Sequence, residues 1–157
     1  MHTTVTDELI EVLNDLVKIN NDRIEGYHKA QEEIKTKDAD LYGIFGRFAD
    51  NSSQYATELK QHINELGGKS DSGTTGLGKI YRAWMDIKTT FTGKDRTGVL
   101  ELCEYGEDAA QKAYNDALSS DADMDPETRQ LITHQKSRLK EEHDMVRQFR
   151  DNSRSVS

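Results

Sequence analysis

Apolar residues return every three or four positions through four long stretches of this chain, and its single proline interrupts none of them. That spacing puts one apolar face along each of four α-helices. The proline, Pro126, follows Asp125 and precedes Glu127, so it falls at the first position of a helix, where its missing N–H costs nothing. A chain built this way has one economical solution, long helices packed side by side. The first helix is expected from about Thr6 to Lys35 on Leu9, Leu13, Leu16, Tyr27, Ala30 and Ile34. The second runs from about Asp38 to Leu66 on Leu41, Phe45, Phe48, Tyr55, Ala56, Leu59 and Ile63, and Gly67–Gly68 ends it. A third is expected from about Asp95 to Ser119. Its stripe of small residues, Gly106, Ala110, Ala113 and Ala117, allows a close helix–helix approach. A fourth starts at Pro126 on Leu131, Leu139, Val146 and Phe149, and the tail 151–157 is expected to fray.

The joints bear on topology. Few residues separate the first helix from the second, or the third from the fourth, and short joints make antiparallel neighbours. The segment 68–93 is much longer. It holds the flexible run KSDSGTTGLG and a short helix whose apolar face is Leu77, Ile80, Trp84, Ile87 and Phe91. Such a segment can carry the chain back along a bundle. The expected fold is therefore an all-α, ferritin-like four-helix bundle over residues 1–157, two antiparallel hairpins joined by a long crossover containing a short helix. An up-down bundle with a helical loop is the alternative.

The formal net charge is -8. It repels nucleic-acid phosphates and anionic lipid, and it suits a cation or a basic partner better. No run of about 18 apolar residues is present, and the N-terminus lacks a basic region followed by an apolar one. Cys103 is the only cysteine, so neither an internal disulfide nor a cysteine zinc site can form. These features lead us to expect a soluble, cytoplasmic protein that binds neither nucleic acid nor membrane. No nucleophile–base pair, phosphate loop or dinucleotide fingerprint occurs.

Several local sequences occur together in order. They are LNDL at Leu13–Leu16, Glu25–Gly26–Tyr27, Glu58–Leu59, Leu66–Gly67–Gly68, the Ser72–Gly73 and Gly76 turn, and Arg82–Ala83–Trp84. Glu104–Tyr105–Gly106–Glu107–Asp108, His143–Asp144 and Arg147–Gln148–Phe149–Arg150–Asp151 complete the set. The set resembles an uncharacterised bacterial family of ferritin-like four-helix-bundle proteins, a domain of unknown function. The resemblance covers nearly the whole chain. It implies the fold and brings no activity with it.

A ferritin-like di-iron site takes a glutamate from each of two helices and Glu-x-x-His from each of the other two, all pointing inward. One Glu-x-x-His exists here, Glu25 to His28, and helical phase turns Glu25 away from the apolar stripe. Lys140 stands where a second such motif would need glutamate before His143. The residues left for an iron or manganese site are Glu58, His62, Glu107 and His143. Glu101 and Glu104 belong by phase to the outer face of the third helix.

Other polar residues fall on inward stripes: Asn20 and Arg23, Ser52, then Gln135, Arg138 and Glu142. Matched along the bundle, Asn20, Ser52 and Gln135 share one level beside Ala110. Arg23, Glu107 and Glu142 fall about one turn away, near Tyr27 and Cys103. A buried polar network of Asn20, Arg23, Ser52, Glu107, Gln135 and Glu142 is expected, with Arg23 as counter-ion to a glutamate. The functional expectation is a non-catalytic bundle acting by protein interaction or self-association. Fold-level analogy adds a stress setting. A metal-binding protein and a small-ligand carrier with a cavity under the crossover are the alternatives.

Overall fold

The computed structural model describes residues 5–34, 38–74 and 96–155. They form four helices: α1 (Val5–Ile34), α2 (Ala39–Glu65), α3 (Arg96–Leu118) and α4 (Pro126–Ser155). The apolar positions that define the stripes of α1 and α2 are buried, from Leu9 to Ile34 and from Leu41 to Ile63. Asp38 caps α2 from an extended conformation, accepting the Leu41 N–H on its side chain at 3.0 Å. At the other end Gly67 takes φ of 83°, and the Gly68 N–H bonds back to the Ile63 carbonyl at 2.9 Å. That is the left-handed helix stop for which glycine carries no Cβ penalty.

Side-chain bonds between helices establish the directions. Gln31 of α1 meets Tyr42 of α2, and Arg23 meets Ser52. Asn20 of α1 meets Tyr114 of α3, and Arg23 meets Glu107. On α4, Gln135 and Glu142 meet Glu58 and Tyr55 of α2, while Gln111 and Asp108 of α3 meet Lys136 and His143. Rising numbers therefore meet falling numbers at all four interfaces. Helix α1 is antiparallel to α2 and α3, α4 is antiparallel to the same two, and α2 runs parallel to α3. Two successive helices that run parallel need a return connection between them, and the segment between Glu65 and Arg96 is that connection. Arg96 pairs with Asp38, so α3 starts at the end of the bundle where α2 started.

The return begins along α1. Asn14 donates to the Lys69 carbonyl at 3.0 Å and accepts from the Asp71 N–H at 2.7 Å, and Asn21 donates to the Gly73 carbonyl at 2.8 Å. A Cβ at Gly68 would lie 2.5 Å from Ile10 Cδ1, so glycine is what lets the chain turn this close to α1. The expected short helix on Leu77 to Phe91, with Trp84, lies outside the described residues.

Helix α4 continues to Ser155, and Ser153 is buried, its Oγ 2.5 Å from Thr97 Oγ1. One expectation is corrected. Arg138, expected inward, is exposed. The polar residues on either side of it in the α4 stripe, Gln135 and Glu142, are the ones buried.

Candidate functional site

The interior is two apolar cores with a polar belt between them. One core gathers Leu9, Leu13, Leu16, Leu59, Ile63, Tyr114 and Ile132 among others. The second gathers Tyr27, Ile34, Phe45, Phe48, Val99, Leu100 and Val146 among others. Asn20, Arg23, Ser52, Glu107, Gln135 and Glu142 all lie between them and all are buried.

Arg23 is at the centre, with no exposed surface. Its Nε donates to Glu107 Oε1 and its Nη2 to Glu107 Oε2, each at 2.8 Å. This is the two-pronged geometry that only a planar guanidinium can present to a carboxylate. Nη2 also reaches Glu142 Oε1 at 3.2 Å, and Nη1 donates to Ser52 Oγ. Tyr27 donates to Glu107 Oε2 at 2.6 Å, and Tyr55 to Glu142 Oε2 at 2.9 Å. Each carboxylate oxygen of the pair thus already accepts a donor. The guanidinium carbon lies 5.3 Å from the centre of the Tyr27 ring, which itself packs edge-on to Phe48. One cation faces two carboxylates, so the three side chains are formally one positive charge short.

The titration behaviour follows from this imbalance. Burial works against the charge of Arg23, but Glu107 and Glu142 outweigh it and hold the guanidinium well above its ordinary value. Burial pushes the Glu142 carboxyl up; Arg23 opposes that and Glu107 reinforces it. Burial, then the neighbouring Glu107 charge, also raises Tyr27 and the Cys103 thiol. Both therefore stay protonated.

The second polar level is a relay across the bundle. Asn20 donates to the Tyr114 hydroxyl at 2.8 Å, which donates to Gln135 Oε1 at 2.7 Å. The amide of Gln135 then donates to Glu58 Oε1 at 2.9 Å and to the Tyr55 carbonyl at 3.1 Å. Ser52 joins the Arg23 level rather than the Asn20 and Gln135 level expected for it, because Nη1 of Arg23 reaches back towards α2.

The residues left for a metal are not gathered. Glu58 serves Gln135, and Glu107 serves Arg23 and Tyr27. His62 Nε2 lies 2.6 Å from Thr128 Oγ1, which donates to Asp125 Oδ1. His143 lies between Asp108 at 2.5 Å and Asp144 at 3.0 Å, on the seam of α3 and α4. Among the described residues no three His, Cys, Asp or Glu side chains come together as a metal group. The donor set of a ferritin-like di-iron centre therefore does not fit this interior.

Glu104 corrects the reading of the acidic helix. It is buried, not outward, and accepts from Arg147 at 3.0 Å and from Arg150. Its phase does leave the small-residue stripe, but α3 meets α1 on one side and α4 on another. Glu101 is exposed and pairs with Arg154 at 3.2 Å. Sequence reasoning also passed over the hydroxyls of Tyr27, Tyr55 and Tyr114. The signal was available, since a tyrosine on a core stripe needs a partner for its O–H.

Four helices in this order, with an antiparallel hairpin on each side of a long return, define a ferritin-like bundle. The model of the family described as a domain of unknown function, DUF2383, matches residues 8–120, and the chain belongs to that family. Among solved structures it is similar to a mutant of Dps1 from Mycobacterium smegmatis. The identity is 16%, the TM-score is 0.78, and the match covers 96% of this chain and 99% of that one. At that identity the likeness shows the fold alone. No curated protein matches the chain in sequence.

Proposed function

We propose that this ferritin-like protein acts without catalysis, through its surface, and that its partner is a second copy of the same chain. The observation that carries this reading is a groove of about 350 Å³ between α1 and α3. Val12, Leu16, Ile19, Ala113 and Ala117 line it, and Asp15, Lys18 and Asp116 stand at its margin. Small residues there let another helix approach closely, and a rim carrying both signs can match its own copy after a two-fold rotation. The guanidinium and carboxylates of the central belt are committed to one another, so the surface is where we look for a partner. Among the described residues no helix is long and apolar enough to cross a membrane.

The test is the mass in solution by light scattering, for the full chain and for Ala113→Lys. The natural chain is expected above the monomer mass. The variant, folded by circular dichroism, is expected to return to it. A natural chain that stays monomeric at its highest soluble concentration overturns the proposal. A groove that instead takes up an apolar dye while the chain stays monomeric favours a small-ligand carrier.

A further inference from the structure

A ferritin-like bundle that carried metal in its interior would hold it between facing helices with inward glutamates and histidines. In this chain the corresponding space is filled from within. Helix α3 contributes Glu107 Oε1 and Oε2, α4 contributes Glu142 Oε1 and α2 contributes Ser52 Oγ, all bonded to the guanidinium brought by α1. Four oxygens from three helices are thus directed at one cation from the fourth. An all-oxygen set with two carboxylates is what hard divalent cations take up, whereas no histidine takes part. The belt is also closed to solvent, with Arg23 fully buried and Glu107 and Glu142 nearly so.

We propose that the Arg23 guanidinium is the structural cation of this bundle, doing inside the core what a metal ion would otherwise do, and that it closes an oxygen site able to hold a hard divalent cation. The inference is independent of self-association, which concerns the groove between α1 and α3 lined by Val12 and Ile19. Its physical content is that the cage is built for positive charge. Truncating Arg23 leaves two buried carboxylates facing a space with no countercharge. A small dication with its waters then restores the balance. The natural chain has no need of it, because every oxygen of the cage is already engaged.

The experiment uses the full chain, Arg23→Ala, Arg23→Lys and Arg23→Ala/Glu107→Gln, each titrated with MnCl₂. Bound manganese is read by loss of the free-ion electron paramagnetic resonance signal, and stability by thermal unfolding. The natural chain and Arg23→Lys are expected to take up no stoichiometric Mn²⁺ and to show no change of Tm as Mn²⁺ is added. Arg23→Ala is expected to have a lowered Tm that climbs by several degrees as Mn²⁺ exceeds its Kd, with stoichiometric uptake that the added Glu107→Gln abolishes. Should Arg23→Ala be unfolded without metal, Mn²⁺ is expected to restore its helical circular dichroism. Stoichiometric Mn²⁺ in the natural chain that Glu107→Gln removes overturns the proposal. So does an Arg23→Ala protein, folded or unfolded, that ignores Mn²⁺.

Discussion

Glu107 and Glu142 face the same guanidinium, yet replacing each by glutamine is expected to have very different consequences. Glu107 accepts both prongs of Arg23 at 2.8 Å and the Tyr27 hydroxyl at 2.6 Å. A glutamine there offers one oxygen in place of two. Whichever way it is turned, its NH₂ would oppose an Arg23 N–H, donor against donor. Charge-assisted hydrogen bonds contribute about 1.5–3 kcal/mol each, and breaking a buried pair by removing one partner costs about 3–5 kcal/mol. For a chain of this size roughly 2–4 °C is lost per kcal/mol, so Glu107→Gln is expected to lower Tm by roughly 6–20 °C. Glu142 instead has one longer contact with Arg23, at 3.2 Å, and one hydroxyl donor, Tyr55. A glutamine keeps an oxygen for Arg23 and can donate to a reoriented Tyr55 hydroxyl. It also removes the surplus negative charge of the cluster. Glu142→Gln is therefore expected to change stability by about 1 kcal/mol or less, in either direction. The assay is urea and thermal unfolding of both variants followed by circular dichroism at neutral pH. If Glu142→Gln is the more damaging, or if Glu107→Gln costs under about 1 kcal/mol, the assignment of Glu107 as principal counter-ion is wrong.

Other outcomes follow from the same geometry. Glu142 has a raised folded pKa, so its folded carboxyl holds a proton that the unfolded chain has already released. Its contribution is full below the unfolded value of about 4.3 and is lost as pH rises through the folded value. The stability of Glu142→Gln relative to the natural chain should therefore climb across that window, and a flat difference in urea midpoints would refute this. Replacing the triad as a unit, Arg23→Met with Glu107→Leu and Glu142→Leu, is expected to be neutral or stabilising, because no charge then remains to desolvate. A loss above about 2 kcal/mol in urea unfolding would show that the triad stabilises outright. Gly67→Ala meets nothing within 4 Å, so backbone strain at φ of 83° alone should cost about 1–2 kcal/mol, measured by thermal unfolding. Cys103, buried and with its thiol pushed up, should react with a thiol reagent only in denaturant; fast labelling of the folded chain would place it elsewhere.

Helices were legible because each stripe is a local property: Leu9 to Ile34 or Leu41 to Ile63 can face one way only when the backbone turns 100° per residue. The long interval between the second and third stripes pointed to a return connection for the same local reason. Phase also placed Asn20, Arg23, Gln135 and Glu142 inward, since it depends on the helix alone. Phase cannot say what stands opposite, and there the reading fell short. Glu104 left its own stripe and still became buried, because α4 brought Arg147 and Arg150 over it. Ser52 changed levels because a long arginine reaches along the bundle axis as well as across it. The sequence alone thus determined four helices, their faces and the presence of charge within them. Only the tertiary structure decided that one guanidinium would fork onto Glu107 and merely touch Glu142. The choice depends on the relative height and rotation of three helices, which the packing of the two apolar cores sets and no single helix contains.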